Sequence, residues 1–182
     1  MAKAKSAYSE PGKFGKNEHH IIVVWVDNEA GVLARIAGLF SGRGYNIESL
    51  AVAEVDKAKH ISRMTIVTEG TPEVIEQIKL QLKKLVPVRK VADFQRNNPD
   101  ILFRELALFK IVTSTKKLEK AKKLCKKYNL VVLDKSKKSC VLQVTALRRE
   151  VDNLIKGLKS LGLVSVSRTG AVAMTRGPEV FK

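Results

Sequence analysis

Residues 28–50 read NEAGVLARIAGLFSGRGYNIESL, and they follow a bare apolar run, IIVVWV, at residues 21–26. The apolar side chains in the first part of the stretch recur at i, i+1, i+4, i+7 and i+8, which is the spacing of one buried helix face: Val32, Leu33, Ile36, Leu39 and Phe40. The pattern predicts a strand at 21–26, a polar turn, a helix at 30–43 that stops at Gly44, and a second strand at 46–54.

The same order of elements then recurs. Thr71 and Pro72 predict a helix start, because Thr caps helices well and Pro suits the first helical position. Strands predicted at 61–68 and 88–94 complete a βαββαβ unit. The second half repeats it, with strands at 104–112, 130–134, 139–145 and 164–174 (broken near Gly170), a helix capped by Thr115 and a helix at 148–161. We therefore expect an α+β chain of two tandem ferredoxin-like domains.

The composition along the chain predicts where the domains begin and end. The first 18 residues are rich in Lys, Gly and Ser and have no periodicity, so we expect a flexible arm. The polar run QRNNPD separates the two repeats. The expected division is an arm at 1–18, a first domain at 19–95, a linker at 96–103, a second domain at 104–178 and a tail at 179–182.

The first strand is apolar on both of its faces. Ile21, Val23 and Trp25 point one way, and the residues between them point the other way. Such a strand is expected to be covered on both sides, but two helices cover only one. A second domain or a second chain must cover the other, and a homo-oligomer is the simplest prediction.

The loop after the first strand is the first candidate site. Free backbone N–H groups at a helix start attract a carboxylate, and Gly31 lets a ligand approach the backbone closely. Asn28 offers both a donor and an acceptor. Alternatively, Asn28 is an ordinary helix cap followed by a tolerated Gly. A second loop, at Arg43–Asn46, contributes a ligand contact through Asn46 or consists only of helix-end and turn residues.

The charge is concentrated in the second half. Residues 101–182 carry 19 Lys and Arg against 6 Asp and Glu. Ten lysines lie on one predicted helix and the turn near it: Lys116, Lys117, Lys120, Lys122, Lys123, Lys126, Lys127, Lys135, Lys137 and Lys138. They form a solvated face, a surface for an acidic protein partner or, as a further alternative, an RNA-binding surface, although the aromatic signature of RNA-binding domains is absent.

The sequence gives little support for a metal site, a catalytic site or a membrane span. Cys125 and Cys140 lack zinc-site spacing and are expected to be buried free thiols, as in a reducing cytoplasm. His19 and His20 are interpreted as arm or strand-edge residues. No catalytic motif, metal site or membrane span is expected.

The run at 28–50, followed by SRMTIV, EQIKLQLKKLVPV and the closing RTGAVAMTRG, resembles the small regulatory subunit of acetolactate synthase over roughly residues 20–178. The resemblance implies an N-terminal ACT domain that dimerises edge to edge and binds a branched-chain amino acid, usually valine, at the dimer interface. The matching ligand positions are Asn28, Gly31, Val32, Leu33, Asn46 and Ile47.

The resemblance also implies a division of labour between two chains. This chain carries no cofactor, and a separate catalytic subunit carries thiamine diphosphate, Mg²⁺ and FAD. The small subunit raises the activity of that partner and confers feedback inhibition by valine. An ACT-type sensor that serves another enzyme, and an RNA-binding module built on the Lys cluster, remain as alternatives.

Overall fold

The computed structural model describes residues 16–95 and 98–178. The chain divides into two compact units. Unit 1 is the described part of Met1–Ile101 and Thr175–Lys182, and unit 2 is Leu102–Met174. Most of the predicted arm and all of the predicted tail at 179–182 lie outside the described residues.

Unit 1 is a four-stranded antiparallel sheet with two helices, in the order β2-β3-β1-β4. Its elements are β1 (Glu18–Asp27), α1 (Val32–Ser41), β2 (Ile47–Asp56), β3 (Ile61–Gly70), α2 (Pro72–Lys83) and β4 (Val88–Gln95). The predicted βαββαβ order is confirmed. The first helix begins at Val32, two residues later than predicted.

Unit 2 repeats this plan with strand order β6-β7-β5-β8, and β9 also pairs with β5. Its elements are β5 (Ile101–Val112), α3 (Thr115–Cys125), β6 (Val131–Lys135), β7 (Ser139–Ala146), α4 (Arg148–Lys159), β8 (Leu163–Arg168) and β9 (Val172–Thr175). β5 begins at Ile101, inside the predicted linker. The predicted break near Gly170 divides the last strand into β8 and β9.

The core of unit 1 follows the predicted helix face except at Leu33, which is 45% exposed and not buried as predicted. Val32, Ile36, Leu39 and Phe40 of α1 pack with α2 and with the inner face of β1. On the opposite face of β1, Ile21 and Val23 are 3% and 0% exposed. The central strand is therefore buried on both faces, as its composition predicted.

The core of unit 2 contains both cysteines, which are free and buried as predicted. Burial raises the pKa of the Cys125 thiol to about 11, and burial also raises the pKa of Cys140. Both thiols therefore stay protonated and unreactive near neutral pH. Within the described ranges, no helix is long and apolar enough to cross a membrane.

The interpretation of His19 and His20 as arm or strand-edge residues is wrong. Both lie in β1, opposite Glu69 and Thr68 of β3. His20 is 6% exposed, and its Nδ1 lies 2.7 Å from an oxygen of Asp93 on β4. The strand extends over these polar residues because its backbone pairs on both sides, which the short apolar run did not reveal.

Candidate functional site

The loop that links β1 to α1 is anchored at its first residues and open after them. The N–H of Asp27 donates to the carbonyl of Pro87 at 2.8 Å, and the N–H of Asn28 donates to the carbonyl of His60 at 2.7 Å. Residues 28–31 are all exposed. The strand end is therefore fixed to its neighbours, while the segment leading into the helix faces solvent.

Gly31 forms the start of α1. It has φ +84, a left-handed conformation that favours glycine, and no side chain caps the helix. The predicted alternative, in which Asn28 is the helix cap, is therefore wrong. The N–H of Val32 has only a 3.4 Å contact with Glu29, and no backbone acceptor is found for the N–H groups of Leu33 and Ala34 among the described residues. These groups give the helix start a partial positive charge that suits an anion.

Asn28 instead reaches β2. Its Nδ2 donates to Glu54 Oε1 at 3.2 Å, near the end of that strand. The sequence did not link Glu54 with Asn28, because nothing local connects two residues that are 26 positions apart. An amide and a carboxylate, which offer acceptors for an ammonium group, thus lie beside the positive helix start.

The side chains of the predicted site residues differ in exposure. Val32 is 2% exposed and belongs to the core, so a ligand's apolar group cannot rest on its side chain. Val32 can offer only its backbone. Leu33, at 45% exposed, is the apolar side chain beside Gly31 that a ligand can reach.

The second loop lies at the other end of β2. Gly44 has φ +70, as a helix stop requires. The carbonyl of Asn46 accepts from Thr68 Oγ1 at 2.7 Å, and the exposed Asn46 side chain stands just before Ile47 at the start of β2. Arg43 donates to Gln81 Oε1 at 3.2 Å, so it ties α1 to α2.

One copy of the chain does not bring the two loops together. Ile47 and Glu54 are seven strand positions apart, which is about 23 Å at ~3.3 Å per residue. The Asn28 loop lies at one end of β2, and Asn46 lies at the other. β2 is also an edge strand of its sheet, with Val52 and Val55 at 44% and 54% exposed.

The Lys cluster lies on the surface of unit 2, as predicted. All of its members are exposed except Lys122, which is half-buried and donates to Glu119 at 2.8 Å. The neighbouring strand β7, SCVLQVTA, presents no aromatic ring. Stacking of bases on the sheet therefore has no platform there, and RNA binding through this face stays an untested alternative.

Comparison with known proteins covers both units. A model of the AHAS small subunit-like ACT domain matches residues 22–90, and a model of the small subunit of acetolactate synthase matches residues 104–177. The acetolactate synthase small subunit of Aquifex aeolicus is 41% identical over 163 residues, covering 89% of this chain and 83% of that protein. That of Bacillus subtilis is 40% identical, covering 87% and 91%.

A solved structure shows the same arrangement of elements. The crystal structure of the acetolactate synthase small subunit from Thermotoga maritima matches with a TM-score of 0.79 at 32% sequence identity. The match covers 88% of this chain and 99% of that chain. Likeness in sequence and in fold thus extends over nearly the whole described chain.

Proposed function

The chain belongs to the family of acetolactate synthase small subunits, and we propose that it activates the catalytic chain and makes it sensitive to feedback inhibition by valine or another branched-chain amino acid. It is a regulatory subunit, and the reaction is carried by a partner chain. In the proposed complex, which we place in the cytoplasm, that partner holds thiamine diphosphate, Mg²⁺ and FAD.

The observation that carries the proposal is the separation of the two loops along an exposed edge strand. A homodimer in which two copies of β2 pair antiparallel about a two-fold axis places the end of one β2 beside the start of the other. Asn28 and Gly31 of one copy then approach Asn46 and Ile47 of the partner subunit. Each dimer acquires two equivalent sites, and each site needs both chains.

The groups in each half-site match an amino acid. The carboxylate accepts from the N–H groups of Leu33 and Ala34, which have no backbone acceptor among the residues that the structure describes and lie at the positive end of α1. The ammonium group donates to the amide oxygen of Asn28 or to Glu54. The branched side chain rests on the exposed part of Leu33 and on Ile47 of the partner subunit.

Binding at an interface can control a distant catalytic chain. The ligand contacts both copies, so it favours the arrangement of the dimer in which the two half-sites lie closest. It inhibits if that arrangement is the less active one in the complex with the catalytic chain. A coupling of about 1–3 kcal/mol changes affinity five- to 150-fold, which suffices for graded control.

The test is an acetolactate assay with the catalytic subunit, with and without this chain and valine. The wild-type chain should raise the rate, and valine should lower it again. Asn28→Ala should abolish inhibition while leaving activation intact, because Asn28 is exposed and outside the core. Thr113→Ala, at the corresponding strand end of unit 2, is the matched control and should leave inhibition unchanged. Normal inhibition of Asn28→Ala would show that the site is misplaced.

A further inference from the structure

Three side chains with metal-ligating atoms meet on three neighbouring strands of unit 1. His19 on β1 lies directly opposite Glu69 on β3, and directly opposite residues of an antiparallel pair share one face of the sheet. Glu48 lies at a register shift near the start of β2, where a bulge re-aims the side chain. The topology thus brings one imidazole and two carboxylates to one place from distant parts of the sequence.

The spacing of the three groups fits a metal ion. One ligand atom from each side chain lies within 4.8 Å of the other two. His19 Nδ1 is 3.2 Å from Glu48 Oε1, yet this buried nitrogen has no hydrogen-bond partner in the described part of the chain. Two ligands of one tetrahedral Zn²⁺ are about 3.3 Å apart, because each lies about 2.0–2.1 Å from the metal. The pair is therefore spaced as zinc ligands are.

The charges and the types of ligand atom indicate which ion these three residues would bind. Two carboxylates that share a site repel each other unless a cation or a proton lies between them. An imidazole nitrogen beside carboxylates suits Zn²⁺, whereas Mg²⁺ and Ca²⁺ favour sites of oxygen ligands alone. We propose that His19, Glu48 and Glu69 bind Zn²⁺, with water as the fourth ligand on the exposed side of Glu69.

The chain offers few competing zinc ligands. It contains 3 His and 2 Cys. His20 is engaged with Asp93 at 2.7 Å, His60 lies in the turn between β2 and β3, and both cysteines are buried in the core of unit 2. Of the three histidines, His19 is therefore the one that belongs to a group of three metal-ligating side chains in the part of the chain that the structure describes.

A bound ion would join β1, β2 and β3 where β2 begins. Glu48 follows Ile47 directly, so the ion would also hold the Asn46–Ile47 segment in place. Zinc binding at these three residues does not require the regulatory function proposed above, and direct measurement of metal binding separates the two.

The experiment uses the full chain, freed of metal with a chelator and titrated with Zn²⁺ against a chromophoric competitor. One Zn²⁺ per chain is expected. His19→Ala should weaken binding at least 100-fold, and Glu69→Gln at least tenfold, since each removes a ligand. His60→Ala is the matched control for loss of a histidine and should bind as the wild type does. Mg²⁺ and Ca²⁺ should not displace Zn²⁺ at equal concentration.

Three outcomes would overturn the proposal. They are the absence of stoichiometric zinc in the wild-type chain, equal loss of affinity in His60→Ala and His19→Ala, and full displacement by Mg²⁺ or Ca²⁺. Circular dichroism of each variant separates loss of a ligand from loss of the fold. If His19→Ala does not fold, His19→Gln keeps a polar side chain of similar size and should still lose at least tenfold in zinc affinity.

Discussion

The two units end their first strands in the same way. In unit 1, the N–H groups of Asp27 and Asn28 donate to the carbonyls of Pro87 and His60. The first acceptor lies just before the last strand of the repeat, and the second lies in the turn between the second and third strands. The strand end is thereby tied to both neighbours.

Unit 2 repeats both bonds. The N–H of Val112 donates to the carbonyl of Gly162 at 2.9 Å, and the N–H of Thr113 donates to the carbonyl of Lys138 at 2.8 Å. The acceptors occupy the same places in the repeat as those of unit 1. Val112 and Thr113 are therefore the structural counterparts of Asp27 and Asn28.

The two units differ in the loop that leads from these bonds to the first helix. Unit 1 has three residues between Asn28 and the first residue of its helix, whereas unit 2 has only Ser114 in an extended conformation. The two additional residues and the left-handed Gly31 lengthen the loop that leads into α1, although neither α1 nor α3 has a side-chain cap at its start. The comparison teaches that the proposed ligand site depends on a short loop extension and not on a change of topology.

A second correspondence is a polar pair between the first and last strands of each repeat. His20 faces Asp93 in unit 1, and Glu105 faces Arg168 in unit 2. In each unit, the member of the pair on the first strand is offset by two positions. The residue two places after it is the one whose backbone pairs with the member on the last strand. The basic residue lies on the first strand in unit 1 and on the last strand in unit 2, and the acidic residue lies on the other strand of each pair. In unit 2, the hydrogen bond that Arg168 donates to Glu105 raises the pKa of the arginine.

Removing the basic residue from each polar pair should have the largest effect on stability. The loss should be greater in unit 2 than in unit 1. Arg168→Leu leaves Glu105, which is 2% exposed, as a buried unpaired charge, so we expect a loss of about 4 kcal/mol. His20→Leu should cost about 2 kcal/mol, because Asp93 retains Lys79 at 3.8 Å. Native-state hydrogen exchange of β5 and β1 measures the units separately. Equal losses would show that Lys79 does not compensate Asp93 for the loss of His20.

Alanine substitution of a loop glycine should have the second-largest effect on stability, and the cost should differ between the two units. A Cβ on Gly162, at φ +95, would lie 2.6 Å from the carbonyl oxygen of Val112, whereas a Cβ on Gly31 would meet nothing within 4 Å. Gly162→Ala should therefore cost about 3 kcal/mol, through backbone displacement and left-handed strain, and Gly31→Ala about 1 kcal/mol through strain alone. Hydrogen exchange of β8 and α1 measures the two costs. A larger loss in Gly31→Ala would contradict the open loop.

Shortening the open loop tests what its extra length does. Deletion of Glu29 and Ala30 gives unit 1 the loop length of unit 2. Valine affinity should fall at least tenfold, about 1.4 kcal/mol, because the free N–H groups of the helix start move away from Asn28. Isothermal titration calorimetry measures the affinity, and circular dichroism checks the fold. Unchanged affinity would mean that the extension is not part of the ligand site.

The sequence predicted the structural features that depend on the spacing of residues close together in the chain. The apolar period of residues 32–40 marked the buried face of α1, and Thr71 with Pro72 marked the start of α2, because these signals act within one turn of chain. The left-handed Gly31 was not predicted as the helix start, since a preceding Asn is an equally good cap by composition. Contacts such as Asn28 with Glu54 depend on strand register, which a single sequence does not reveal.

The smallest expected difference comes from cysteine, which only unit 2 contains. The folded pKa of Cys125, about 11, lies above its ordinary value of 9.0. A group whose pKa is raised on folding contributes its full stability below the unfolded pKa, so the contribution is intact at pH 8 and declines above pH 9. By pH 10 the wild-type chain should lose about 1 kcal/mol more than Cys125→Ala in hydrogen exchange of α3, while α1 shows no difference between the two. Parallel losses in α3 would mean that the Cys125 thiol ionises as readily in the folded chain as in the unfolded one, which its complete burial opposes.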